Sequence, residues 1–159
     1  MCWKSNELNP LISDGNVKVI KVCKIINGKI CAYFFQNFQY ELGKEYQSEI
    51  FIFPQNGVKS YYFGSTGLHS YSADKCTIGI YTNGLGSYHF QARCHALQNC
   101  IVHTFGEATC NCAVFEGYIP KGKTYYINRV GEIISESIVL TKKLKIKNAI
   151  VITQVSTVC

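Results

Sequence analysis

Arginine, aspartate, methionine, tryptophan and proline are all scarce in this chain of 159 residues. Two arginines against fourteen lysines leave few planar forks for phosphates and guanine edges. Direct nucleic-acid binding is therefore disfavoured despite a net charge of +6. A lysine-dominated excess suits weak attraction to polyanions better. Asp14 and Asp74 are the only aspartates and no paired acidic cluster occurs, which disfavours metal-dependent phosphoryl chemistry. Walker loop, dinucleotide fingerprint, zinc-protease helix and nucleophile elbow are all missing. No stretch approaches the roughly 18 apolar residues of a membrane span. Residues 1–8 lack the apolar core of a signal peptide, and Cys159 is misplaced for a prenylation box. Reduced thiols and a cytosolic setting are the resulting expectation.

What the chain has in quantity is tyrosine and phenylalanine, 11 and 9 residues, within a 47% hydrophobic composition. That balance favours pleated, half-buried surfaces. The length suits one domain able to bury about two-thirds of its unfolded surface. A single domain over residues 1–159 is expected, with residues 1–16 open to being a loosely ordered N-terminal segment.

Three Asn-Gly pairs punctuate β-type runs: Asn27-Gly28, Asn56-Gly57 and Asn83-Gly84. Such a pair accepts positive φ at both central turn positions, as a tight hairpin requires. The flanking runs are 17–25 and 29–35, 50–53 and 58–63, and 77–81 and 87–92. Residues 71–76 are the best place for a short helix, with Ser72 as its N-cap. Glu116-Gly117 interrupts an apolar run and suggests a bulge. Pro120 and Gly122 mark a turn before a strand over 123–128. Residues 129–131 read as a short loop before a run over 132–135. Leu144 and Ile146, interleaved with Lys143, Lys145 and Lys147, read as a strand with one basic face. A final buried strand is expected from Ile150. The class is α+β, predominantly β: antiparallel hairpin-built sheets with one or two short helices.

The densest group of potential ligands is Cys94, His95, Cys100, His103, Cys110 and Cys112. Thiolate and imidazole suit zinc. The spacing lacks a Cys-x2-Cys knuckle, and free cysteine is among the most buried residue types, so small core residues are the favoured reading. No cysteine stands at a helix start, where a nucleophilic thiolate would be expected.

Phe38-Gln39-Tyr40-Glu41-Leu42-Gly43-Lys44-Glu45-Tyr46, Gly67-Leu68-His69-Ser70-Tyr71-Ser72, and Tyr118-Ile119-Pro120-Lys121-Gly122 with Gly131-Glu132-Ile133-Ile134-Ser135 together resemble a family of uncharacterised tailed-phage and prophage proteins. Leu68 stands where that family's Gly-Phe-His motif has Phe. The resemblance implies an accessory protein in the cytoplasm of a bacterial host. It would bind a host protein or a small nucleotide-like ligand, with counteraction of bacterial defence as one use. Homo-oligomerisation is left open. A weaker likeness is to the ADP-ribosyltransferase fold, through residues 64–73, Tyr81 and Glu132. That likeness implies NAD as cofactor. For the binding reading, His69, Tyr71, Tyr81 and Glu132 are the expected ligand pocket. Val22-Cys23-Lys24 departs from it, since an Arg or His should follow an aromatic there. The plainer alternatives are a turn histidine for His69, sheet-face aromatics for Tyr71 and Tyr81, and a surface carboxylate for Glu132.

Overall fold

The computed structural model describes residues 3–33, 38–54, 61–63, 68–82, 88–97, 101–107, 111–145 and 149–151. Its first strands are β1 (Lys4–Ser5), β2 (Leu11–Ile12), β3 (Val17–Ile26), β4 (Lys29–Ala32), β5 (Gln39–Tyr40) and β6 (Glu45–Gln47). There follow β7 (Ile52–Pro54), β8 (Tyr61–Phe63), β9 (Leu68–Ser72), β10 (Cys76–Thr82), β11 (Tyr88–Cys94) and β12 (Ile101–Glu107). The last are β13 (Cys112–Ile119), β14 (Thr124–Ile127), β15 (Glu132–Ser135), β16 (Ser137–Lys143) and β17 (Ala149–Val151). The expected predominance of antiparallel β structure is what the chain adopts. The expected helix over 71–76 does not form, and no helix occurs among the described residues. Tyr71 and Ser72 finish β9, residues 73–75 turn, and Cys76 opens β10. Ser72 caps nothing because the backbone there is held in sheet pairing: Ser72 N–H donates to the Gly131 carbonyl and Ala73 N–H to the Lys18 carbonyl.

The large sheet has ten strands and runs β2-β14-β15-β9-β3-β13-β16-β6, with β4 paired to β3 and β5 to β4. Asn27 and Gly28 adopt φ of 51° and 75°, so the β3–β4 hairpin turns as its sequence demands. Asn56-Gly57 and Asn83-Gly84 lie outside the described residues. The strands on either side of each do pair antiparallel, β7 with β8 and β10 with β11. Against β3, β13 is continuous in register from Cys112 to Ile119. On its other edge the expected bulge is present at Glu116/Gly117, but the extra residue is Thr141 of β16. A Cβ at Gly117 would collide with the Val139 carbonyl oxygen, so only glycine lets the strands approach there.

The basic C-terminal strand lies earlier than expected. β16 ends at Lys143, and its buried half is Ser137 to Leu140. Ile146 falls outside the described residues. β17 pairs parallel with β10.

The sheet rolls. In a flat sheet β14 and β6, six spacings apart, would be separated by roughly 29 Å. Yet Lys123 beside β14 and Glu45 on β6 approach to 3.8 Å. Glu136 fastens the seam, accepting Thr124 N–H at 2.9 Å through its carboxylate and Ser48 N–H through its carbonyl. Inside the roll pack Val19, Phe115, Ile119, Ile133, Ile138 and Leu140. On the outer face, Ile20, Val22, Tyr71 and Val114 pack against Cys76, Phe90 and Ala92 of the four-stranded sheet β12-β11-β10-β17. Within residues 1–16, Trp3 is fully buried against Ile134 and Leu11–Ile12 pair with β14. No helix of the described residues is long and apolar enough to cross a membrane.

Candidate functional site

β9 and β15 are antiparallel neighbours, with Glu132 opposite Tyr71 and Ile134 opposite His69. Alternation along each strand places His69, Tyr71, Glu132 and Ile134 on the same face of the sheet. The His69 Nε2 and Glu132 Oε2 atoms are 3.5 Å apart, and the Tyr71 ring meets the imidazole edge-on with centroids at 5.0 Å. Three of the four expected pocket residues are therefore brought together. The fourth, Tyr81, pairs by backbone with His89 and Ile150 in the four-stranded sheet, and its side chain lies outside the described residues.

Burial governs the chemistry of this group. The loss of solvent lowers the His69 pKa, and the nearby Glu132 carboxylate only partly opposes that. The imidazole is thus neutral at neutral pH. Burial likewise pushes the Tyr71 phenol well above its ordinary value, helped by the Glu132 charge. Behind β9, inside the roll, the Lys21 ammonium donates to the His69 carbonyl and lies 5.7 Å from the Tyr40 ring centre. Its pKa is lowered by burial, and the neighbouring Cys23 thiol is pushed up to about 12 by the same cause.

Asn128 holds Glu132 in place. Its Nδ2 donates to Glu132 Oε1 at 3.0 Å and to the Lys4 carbonyl at 2.8 Å, while its Oδ1 accepts Glu132 N–H at 2.9 Å. The Trp3 indole N–H donates to the Glu132 carbonyl at 3.0 Å, bridging 129 residues of sequence. Gly131, with φ of 85°, closes the turn between them. None of Asn128, Trp3 or Lys21 was expected from sequence as part of a site. An Asn three residues before Gly131, at the first position of the turn, was the available signal for Asn128; for Trp3 and Lys21 there was none, because their partners are remote in sequence.

Beside Glu132 opens a cleft of about 720 Å³, between residues 4–9 on one side and Lys75 with the 127–130 loop on the other. Its cations are Lys4, Lys75 and Arg129, and its carboxylates are Glu7 and Glu132. Asn6, Asn9 and Asn128 add amides, and Ile127 and Val130 an apolar wall. This mixture, in a volume within the usual range of ligand sites, suits a small polar molecule with an anionic end.

The sulfur- and nitrogen-rich segment is dispersed where it can be seen. Cys94 is buried at the end of β11, His95 is exposed in the turn after it, and Cys112 opens β13 against Lys24. Cys100 and Cys110 lie outside the described residues, as does the His103 side chain. Among the described residues no three His, Cys, Asp or Glu side chains gather as a metal site. No protein-family model, curated protein or solved structure matches the chain.

Proposed function

We infer that the protein works by binding, and that the cleft beside Glu132 takes a small nucleotide-like anion. The observation that carries this reading is a carboxylate fixed by Asn128, 3.5 Å from His69 Nε2, at the edge of a cleft bearing Lys4, Lys75 and Arg129. The cations suit phosphate, and Arg129 adds a planar fork for bidentate contact. A fixed carboxylate accepts hydrogen bonds from ribose hydroxyls or a base amino group. The resemblance of the 38–46, 67–72 and 118–122 segments to tailed-phage proteins supports an accessory role, in which withdrawing a nucleotide counteracts a host defence.

Calorimetric titration with adenosine diphosphate, adenosine and NAD tests the reading. Binding of the diphosphate, weaker binding of the nucleoside, and a loss on the order of tenfold in Arg129→Ala are expected. Equal affinity of diphosphate and nucleoside, or no binding of either, would overturn it. In the NAD arm, release of nicotinamide would replace the binding reading by an ADP-ribosyltransferase-like one.

A further inference from the structure

Nine cysteines are many for this length, and two of them face each other. Cys76 opens β10, Cys94 closes β11, and the two are directly opposite in the antiparallel register. The backbone defines the kind of pair. His95 N–H donates to the Lys75 carbonyl at 2.7 Å, one residue beyond the pair on each strand. A bond in that position belongs to a non-hydrogen-bonded pair, in which opposing Cα atoms lie about 4.5 Å apart. A disulfide spans Cα separations of roughly 4.4–6.8 Å. Both sulfurs are directed at one loop: Cys76 Sγ donates to the Val130 carbonyl at 3.2 Å, and Cys94 Sγ lies 4.0 Å from the Arg129 carbonyl. Both side chains are buried.

The remaining described cysteines do not share this geometry. Cys23 stands opposite Ala32 and Ala113, while Cys31 and Cys112 flank Lys24 from two different strands. Those two are separated by two strand spacings, about 10 Å, which a disulfide cannot span.

We propose that Cys76 and Cys94 are a redox-active dithiol that closes to a disulfide by exchange with a small disulfide such as oxidised glutathione. One cysteine, as thiolate, attacks a glutathione sulfur and expels one glutathione thiolate, leaving a mixed disulfide. The second cysteine then attacks the protein sulfur of that bond and expels the other thiolate. Two protons pass from the cysteines to two glutathione thiols, and the two protein sulfurs are oxidised as the small disulfide is reduced. Access comes from the end of the hairpin, where exposed Lys75 and His95 flank the pair and strand ends open most readily. The consequence is local to the 128–131 loop. A Cβ built on Gly131 would sit only 2.6 Å from Cys76 Sγ, so the loop rests directly on that sulfur. Drawing the sulfur toward Cys94 removes its bond to Val130 and loosens the turn that leads into Glu132.

The test is equilibration of the full chain in glutathione buffers of graded potential, acid quenching, and peptide mapping without reductant. A Cys76–Cys94 linked peptide with the loss of two hydrogens is expected, appearing with a single midpoint. Emission from Trp3, the only tryptophan and a donor to the Glu132 carbonyl, should change at that same midpoint. Either cysteine recovered reduced in fully oxidised buffer, or carrying glutathione without closing, would overturn the dithiol. A linked pair with unchanged Trp3 emission would overturn its coupling to the loop. The mapping uses the natural sequence, so it decides even where Cys76→Ala or Cys94→Ala fails to fold.

Discussion

Removing the Asn128 side chain tests how the site is held. Asn128→Ala deletes the bonds to the Lys4 carbonyl at 2.8 Å, to Glu132 Oε1 at 3.0 Å and from Glu132 N–H at 2.9 Å. The residue is 6% exposed, so water cannot readily replace what is lost. A neutral hydrogen bond contributes about 1 kcal/mol net and one to a carboxylate about 2, which gives about 4 kcal/mol for the three. That is a large share of the roughly 5–15 kcal/mol that stabilises an ordinary domain. Urea unfolding followed by far-ultraviolet circular dichroism and Trp3 fluorescence measures it. The midpoint should fall with the slope unchanged. A loss below about 1 kcal/mol would refute the reasoning, because it would mean the Asn128 network does not hold Glu132.

The other predictions concern titration and packing. His69 has a lowered pKa, so it contributes stability that is present above its ordinary value of 6.5 and is lost as pH falls below that. His69→Gln should flatten the stability profile there by at most about 1.4 kcal/mol per pH unit, and equal slopes in chemical denaturation would refute it. Lys21, lowered from 10.5 by burial, makes stability rise with pH below that value. Cys23, held protonated to about 12, makes stability fall above its ordinary 9.0. Subtracting the Lys21→Met profile from that of the natural protein should leave a rise alone; a flat difference would contradict it. Gly117→Ala, whose methyl meets the Val139 carbonyl, should cost about 3 kcal/mol by thermal or urea unfolding.

Local chemistry made much of the fold legible. Asn27-Gly28 specified its hairpin through backbone conformation alone, and Glu116-Gly117 marked the bulge because a glycine allows strands to crowd. The helix expectation at Ser72 failed for a non-local reason: Ser72 and Ala73 donate their N–H groups to the carbonyls of Gly131 and Lys18, both remote in sequence, which holds the segment extended. Alternation of lysines at 143–147 suggested a strand, but burial of Ser137 to Leu140 against the roll set its actual limits. Of the expected pocket, His69, Tyr71 and Glu132 are neighbours through strand register, while the Tyr81 side chain lies outside the described residues. Asn128, Trp3 and Lys21 escaped because their partners are brought to them by the order of strands, which local patterning does not encode.

The most direct test of the central claim is a two-dimensional nitrogen–proton spectrum of the labelled protein during titration with adenosine diphosphate. The Trp3 indole N–H and the Asn128 side-chain amide both donate to Glu132, at 3.0 Å in each case. If the cleft is the ligand site, these signals and those of the 127–130 loop should shift together and saturate with one affinity. Saturable binding that leaves them in place while perturbing other residues would contradict the assignment of the cleft.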